Sequence, residues 1–193
     1  TTGLCFIAGE ITSQGFADLP QIVRETIKDI GYSSSEMGFD WETCAVLSSI
    51  DKQSPDIAQG VNRKDPEEQG AGDQGMMFGF ACKETENLMP SSIHWAHKLS
   101  RRLTYARKKN VLDFLRPDGK TQVAMVYDNG QPKYIDNVVV SAQHDDQVDY
   151  EDLKEAIQKE VVEHTLPQEL LDEKTRFYVN TTGRFVVGGP LGD

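Results

Sequence analysis

Between residues 76 and 180 the hydrophobic period changes repeatedly, and the order of those changes restricts the fold more than any other feature of the chain. Residues 76–82 form a short apolar run that reads as a strand, 91–110 carry apolar side chains at helical spacing, and 121–127 return to strand. Asp128-Asn129-Gly130 then supplies a hairpin turn, because Asn-Gly tolerates the positive φ values a tight hairpin needs. A return strand over 134–143, a helix over 150–164 and a last strand over 176–180 complete the series βαββαβ. Strands with one apolar face and helices with one apolar stripe must cover each other. The expected class is therefore α+β, with two-layer mixed or antiparallel sheets and helices on one face.

Residues 4–50 read βαβ: a strand over 4–12, a helix over 19–30 and a strand over 44–50. Asp18 is a ready N-cap, Pro20 stands in the first turn and Gly31 follows the last periodic residue. The same order recurs over 137–180, so the chain reads as pseudo-repeated βαββαβ units. The first unit lacks its leading βαβ, and the chain stops eight residues into the next element. It is expected to be the middle of a longer protein. Residues 51–74 are polar, rich in Gly, Pro and Asp, and without period; 53–63 read as a solvated surface loop or as a lid.

A net charge of −11 argues against non-specific nucleic-acid binding, which needs a cationic surface, but leaves room for a nucleotide held by a local cluster of Lys and Arg. No apolar run approaches the ~20 residues of a membrane span, and Thr1-Thr2-Gly3-Leu4 has neither an initiator Met nor a signal-peptide pattern. Cys5, Cys44 and Cys82 sit in apolar stretches without metal-ligand spacing. They read as small buried hydrophobes in a reducing, cytoplasmic setting. His94 and His97 read as a packed or solvated helix face. The acidic run from Asp145 to Asp152 is explained by the helix N-terminus that follows it.

The chemistry-bearing candidates lie in loops and strand ends. Gly70-Ala71-Gly72-Asp73-Gln74-Gly75 lets the backbone turn sharply and approach a ligand, although Asp73 there can equally be a simple turn-former. Upstream stand Ala8-Gly9-Glu10-Ile11-Thr12 and Lys52-Gln53-Ser54-Pro55-Asp56-Ile57. Downstream come Arg116-Pro117-Asp118-Gly119-Lys120-Thr121-Gln122-Val123, then Thr182-Gly183-Arg184-Phe185, then Gly188-Gly189-Pro190-Leu191-Gly192-Asp193. Read singly, Glu10 is an exposed strand-end carboxylate, Asp118-Gly119 a turn before a strand, and Phe185 a core residue. Read together and in order, the set resembles the S-adenosylmethionine synthetase (methionine adenosyltransferase) family along the whole chain.

The resemblance implies three pseudo-repeated α+β domains. Residues 1–53 would be the C-terminal half of the first, 54–66 a mobile active-site loop, 67–185 the central domain and 186–193 the opening of the third. It implies ATP and L-methionine as substrates, with Glu10, Gln53, Asp73 and Asp193 on methionine. Asp118, Gly119, Lys120, Arg184, Phe185 and Asp193 would contact ATP, and Lys120 and Arg184 would be catalytic. Family members use Mg2+ and K+, and no metal ligand is assigned to this chain; the ligands are expected mainly in parts of the family outside it. Members pair as dimers or tetramers with active sites between subunits. Ala8 departs from the family, which commonly has a second glycine there. The implied nucleophile is a thioether sulfur with no proton to lose, which fits a sequence lacking a Ser-His-Asp or Cys-His constellation. With the family's leading His-Pro-Asp-Lys segment absent, the 193-residue chain alone is expected to be inactive. A non-catalytic nucleotide-binding or assembly module of the same fold is the alternative.

Overall fold

The computed structural model describes residues 2–192. β1 (Leu4–Glu10) leads into α1 (Leu19–Ile30), which begins where the local chemistry dictates. The Asp18 carboxylate accepts from the Gln21 N–H at 3.0 Å, Pro20 lies in the first turn, and Gly31 closes the helix at φ +118°. The short strands β2 (Ser33–Ser34) and β3 (Phe39–Asp40) pair antiparallel, and β4 (Ala45–Asp51) lies parallel to β1, with Leu4 opposite Ala45 and Glu10 opposite Asp51. Ile27, Tyr32, Phe39 and Cys44 form a small core beneath this unit. Cys44 is buried while Cys5 and Cys82 are half-buried, and all three are free thiols.

Two expectations fail between residues 53 and 82. The expected loop over 53–63 contains a helix, α2 (Pro55–Val61), started by the Ser54 hydroxyl accepting from the Asp56 N–H at 3.3 Å. The expected strand over 76–82 does not form. Met76, Met77, Phe78 and Phe80 stand exposed, Phe78 at 89%, and among the described residues no strand completes a ladder with this segment.

The larger unit contains α3 (Ser91–Lys108), β5 (Leu115–Asp128), β6 (Gln131–His144), α4 (Tyr150–Ile157) and β7 (Arg176–Val179). β5 and β6 form the expected hairpin, turning at Asn129 (φ +50°) and Gly130 (φ +76°). β7 joins parallel to β6, giving the order β5-β6-β7. Both β1-α1-β4 and β6-α4-β7 are thus parallel pairs bridged by a helix, and the fold class is α+β. Ala96, Leu99, Leu103 and Ala106 of α3 pack with Val138, Val140 and Ala142 of β6 and with Leu153 and Ile157 of α4. Complete burial of Leu99 alone is worth about 1.5–3 kcal/mol. Beyond Ile157 the helix widens into a π segment (Gln158–Glu163), where Arg102 Nε donates to the Glu160 carbonyl at 2.7 Å.

β5 begins earlier than its apolar pattern indicates. Arg116 to Lys120 lie within the strand, not in a turn before it. A register shift between Leu115 and Gly119 lets this Pro- and Gly-containing stretch stay paired to β6, with Gly119 opposite Ala142 and Lys120 opposite Ser141.

Candidate functional site

The site begins just past β7. At Asn180 the backbone enters the left-handed region (φ +41°), and the buried side chain continues the sheet in place of a strand. Its Oδ1 accepts from the Ala142 N–H at 2.8 Å and its Nδ2 donates to the Ala142 carbonyl at 2.9 Å. Its own N–H donates to the Val140 carbonyl at 3.0 Å, and its carbonyl accepts from the Gly183 N–H at 2.7 Å, closing a turn. The chain then runs back along β6 as segment 184–187, which has no regular secondary structure.

That segment is fastened by the end of β6. The His144 N–H donates to the Phe185 carbonyl at 3.0 Å, and the Phe185 N–H donates to His144 Nε2 at 3.0 Å. The fully buried Gln143 spans two arms, its Nε2 donating to the Val186 carbonyl at 2.9 Å and its Oε1 accepting from the Asp118 N–H at 3.3 Å. Asp118 Oδ2 accepts from the Gly189 N–H at 2.8 Å. A side chain at Gly188 would place Cβ 2.6 Å from the Phe185 ring and 3.0 Å from Asp118 Oδ2, so only glycine fits there.

These contacts enclose a cleft of about 270 Å³ lined by Asp118, Lys120, Phe185, Val187, Gly188 and Gly192. Lys120 is exposed and forms no ion pair among the described residues, so its charge is available to an anion. Behind the arm lies a second recess lined by Arg116, His144, Asp145, Asp146 and Val186. There the Asp146 carboxyl is held below its usual range, chiefly by the hydrogen bond from Gln147 and more weakly by the positive charges of Arg184 and Arg116. Arg184 therefore borders the site without lining the cleft.

The remaining candidates lie elsewhere. Thr2 donates to the Pro190 carbonyl at 2.6 Å, which fixes the start of β1 near the cleft. Six strand steps from Leu4 carry Glu10 about 20 Å further on. Glu10 lies opposite Asp51, two residues before Gln53, and Gln53 precedes α2. The glycine-rich loop folds onto the same helix: the Gly70 N–H donates to the Val61 carbonyl at 2.9 Å. Exposed Asp73 accepts from the Gln74 N–H at 2.7 Å within its own turn. Glu10 and Gln53 thus lie at the carboxyl end of the β1–β4 pair, Asp73 sits on a loop tied to the end of α2, and none of the three lines the cleft of Asp118, Lys120 and Phe185. Asp193 lies outside the described residues.

Among the described residues no three His, Cys, Asp or Glu side chains gather as a metal site. Asp118, committed to the Gly189 N–H and sharing its cleft with Lys120, makes a poor cation cradle. Motif reading passed over Gln143, His144 and Asn180. The available signal was two consecutive polar residues ending the apolar run Val138-Val139-Val140-Ser141-Ala142.

The model of the S-adenosylmethionine synthetase central domain matches residues 68–185, and that of the S-adenosylmethionine synthetase N-terminal domain matches residues 1–55. S-adenosylmethionine synthase of Solidesulfovibrio magneticus is 69% identical over 193 residues, covering 100% of this chain and 50% of that protein. S-adenosylmethionine synthases of Nitratidesulfovibrio vulgaris strain Miyazaki F and Maridesulfovibrio salexigens are 65% and 64% identical, with the same coverage. The chain spans about half the length of the curated relatives it matches.

Proposed function

The chain belongs to the S-adenosylmethionine synthetase family, and from that premise we propose that it is part of a methionine adenosyltransferase, forming S-adenosylmethionine from ATP and L-methionine with release of phosphate and diphosphate. The observation that carries this reading is the convergence of Asp118, Lys120, Phe185 and Gly188 on one cleft whose cation is unpaired among the described residues. In the proposed reaction the methionine sulfur attacks the ribose 5′ carbon. An S–C bond forms, the C–O bond to the triphosphate breaks, and the electron pair leaves with the phosphate chain, which is then hydrolysed. No proton moves in the first step, so alignment and charge do the work.

Lys120 and Arg184 draw charge from the leaving chain, and Phe185 with Asp118 and Gly119 forms the wall against which the nucleoside rests. Glu10, Gln53, Asp73 and Asp193 hold methionine, their carboxylates favouring the sulfonium that develops. Family members draw on Mg2+ and K+ for neutralising phosphate charge. Their ligands are expected mainly outside this chain, and no step here depends on them.

The residues proposed for methionine, Glu10, Gln53 and Asp73, do not line the nucleotide cleft of this chain, which favours a site completed by a second copy. Self-association is supported by the outward apolar face of the β1–β4 pair, where Phe6 and Leu47 are 61% and 54% exposed. The proposed domain limits are 1–53, 54–66, 67–185 and 186–193, with 54–66 gating the site. Three free thiols suit a cytoplasmic enzyme, and no described helix is long and apolar enough to cross a membrane. The same separation favours a second reading for the isolated chain: it binds nucleotide without turning it over.

The test compares the 193-residue chain with the full protein encoded by its gene, both supplied with ATP and methionine. The full protein is expected to form product and the chain alone none. Lys120→Met in the full protein is expected to reduce turnover about 10- to 150-fold, the loss of one charge-assisted contact. Full protein that makes no product, or a Lys120→Met variant with unchanged turnover, refutes the assignment.

A further inference from the structure

Gln143 and His144 end β6 and are both buried, although both are polar. A buried imidazole and a buried amide side by side are retained only where their hydrogen bonds are satisfied. Here the bonds reach two separate arms of the cleft. His144 faces the Phe185 N–H through Nε2 and the Asp145 carbonyl through Nδ1. One ring nitrogen must accept and the other donate, so these partners select the neutral tautomer protonated at Nδ1. Phe185 is then held on both sides of its backbone, its N–H by the His144 ring and its carbonyl by the His144 N–H. Gln143 adds the bridge from Val186 to Asp118.

We propose that His144, supported by Gln143, is a positioning residue of the nucleotide cleft, clamping the Phe185 arm at a fixed distance from Lys120. This rests on the nucleotide reading of that cleft. The geometry behind it is a single strand acting as a ruler. Lys120 is set opposite Ser141, and Phe185 is set against His144, three residues further along the same strand. The phosphate-facing cation and the wall for the base are therefore registered to one element. Beyond these contacts, the hydrogen bond of Asp118 Oδ2 to the Gly189 N–H ties the end of the arm to β5. Without the His144 acceptor, the Phe185 N–H loses its partner and the ring that packs over Gly188 is free to shift.

The test uses the full protein encoded by the gene and two readouts. These are the affinity for a non-hydrolysable ATP analogue and the hydrogen-exchange rate of the Phe185 amide. His144→Leu removes the acceptor and is expected to weaken the analogue about tenfold and speed exchange by a similar factor. His144→Gln carries a carbonyl oxygen out to the same region and is expected to stay within about threefold of wild type on both. The KM for methionine is expected to be unchanged in each. Should the Leu variant not fold, His144→Asn, which can keep the contact to Asp145 but ends short of Phe185, carries the same expectation. The clamp is overturned if the acceptor-free variants match wild type, or if Gln fails as badly as Leu, which would mark a general packing role. If wild-type protein binds no analogue, the nucleotide reading falls. Exchange at Phe185 still upholds or overturns the clamp.

Discussion

Replacing Asn180 separates what its side chain contributes from what its backbone contributes. The residue is 3% exposed and its amide makes both bonds that a strand neighbour would offer Ala142, at 2.8 and 2.9 Å. Asn180→Ala leaves one buried N–H and one buried carbonyl unpaired, each costing about 1–3 kcal/mol. Alanine at φ +41° adds about 1 kcal/mol of left-handed strain. Relaxation of the neighbouring chain favours the lower half of the range, giving an expected loss of about 3–5 kcal/mol. Asn180→Gly loses the same bonds but escapes the Cβ clash, so its loss should be about 1 kcal/mol smaller. Urea unfolding followed by circular dichroism measures both against a total stability of about 5–15 kcal/mol. An alanine variant within about 1 kcal/mol of wild type, or a glycine variant worse than alanine, would falsify the view that this side chain serves as a surrogate strand.

The geometry sets three further outcomes. Gly188→Ala forces a methyl 2.6 Å from the Phe185 ring; a destabilisation of about 1–3 kcal/mol and loss of ATP-analogue binding are expected by thermal melt and calorimetry. Tyr127 is pushed up to about 12, first by desolvation and then by its hydrogen bond to Glu84. Because its folded value is raised, its contribution is intact below pH 10 and is lost as pH climbs from 10 towards 12. Melting temperatures across that window should fall more steeply for wild type than for Tyr127→Phe. The double substitution Phe6→Lys with Leu47→Lys should shift the full protein to smaller assemblies in analytical ultracentrifugation, and an unchanged sedimentation profile would reject that face as a contact.

What could be read from the sequence was what local chemistry decides. The Asp18 cap, Pro20 and Gly31 all act within a few residues of α1, and the Asn129-Gly130 turn acts within the hairpin it closes. The cleft members Asp118, Lys120 and Phe185 were legible as motifs. Their separation from Glu10, Gln53 and Asp73 was not, because motif order does not say that the start of β1, not its end, packs beside the cleft. Misreadings arose where a distant partner decides. Residues 76–82 have strand chemistry and, among the described residues, no strand beside them. Asp118-Gly119 has turn chemistry, yet pairing to β6 across a register shift keeps it extended. α2 was signalled by Ser54-Pro55-Asp56 and obscured by Gly60 and by its length of seven residues.

The bonds that complete the cleft have a kinetic meaning. The β5–β6 hairpin joins neighbouring residues and can assemble within microseconds. The Phe185 arm meets His144 at a sequence separation of 41, and Gly189 meets Asp118 at a separation of 71. Closing such large loops is entropically unfavourable until the sheet they dock on exists. The cleft is therefore expected to be among the last parts of the molecule to form, and under the proposed function a nucleotide held there would oppose the first steps of unfolding.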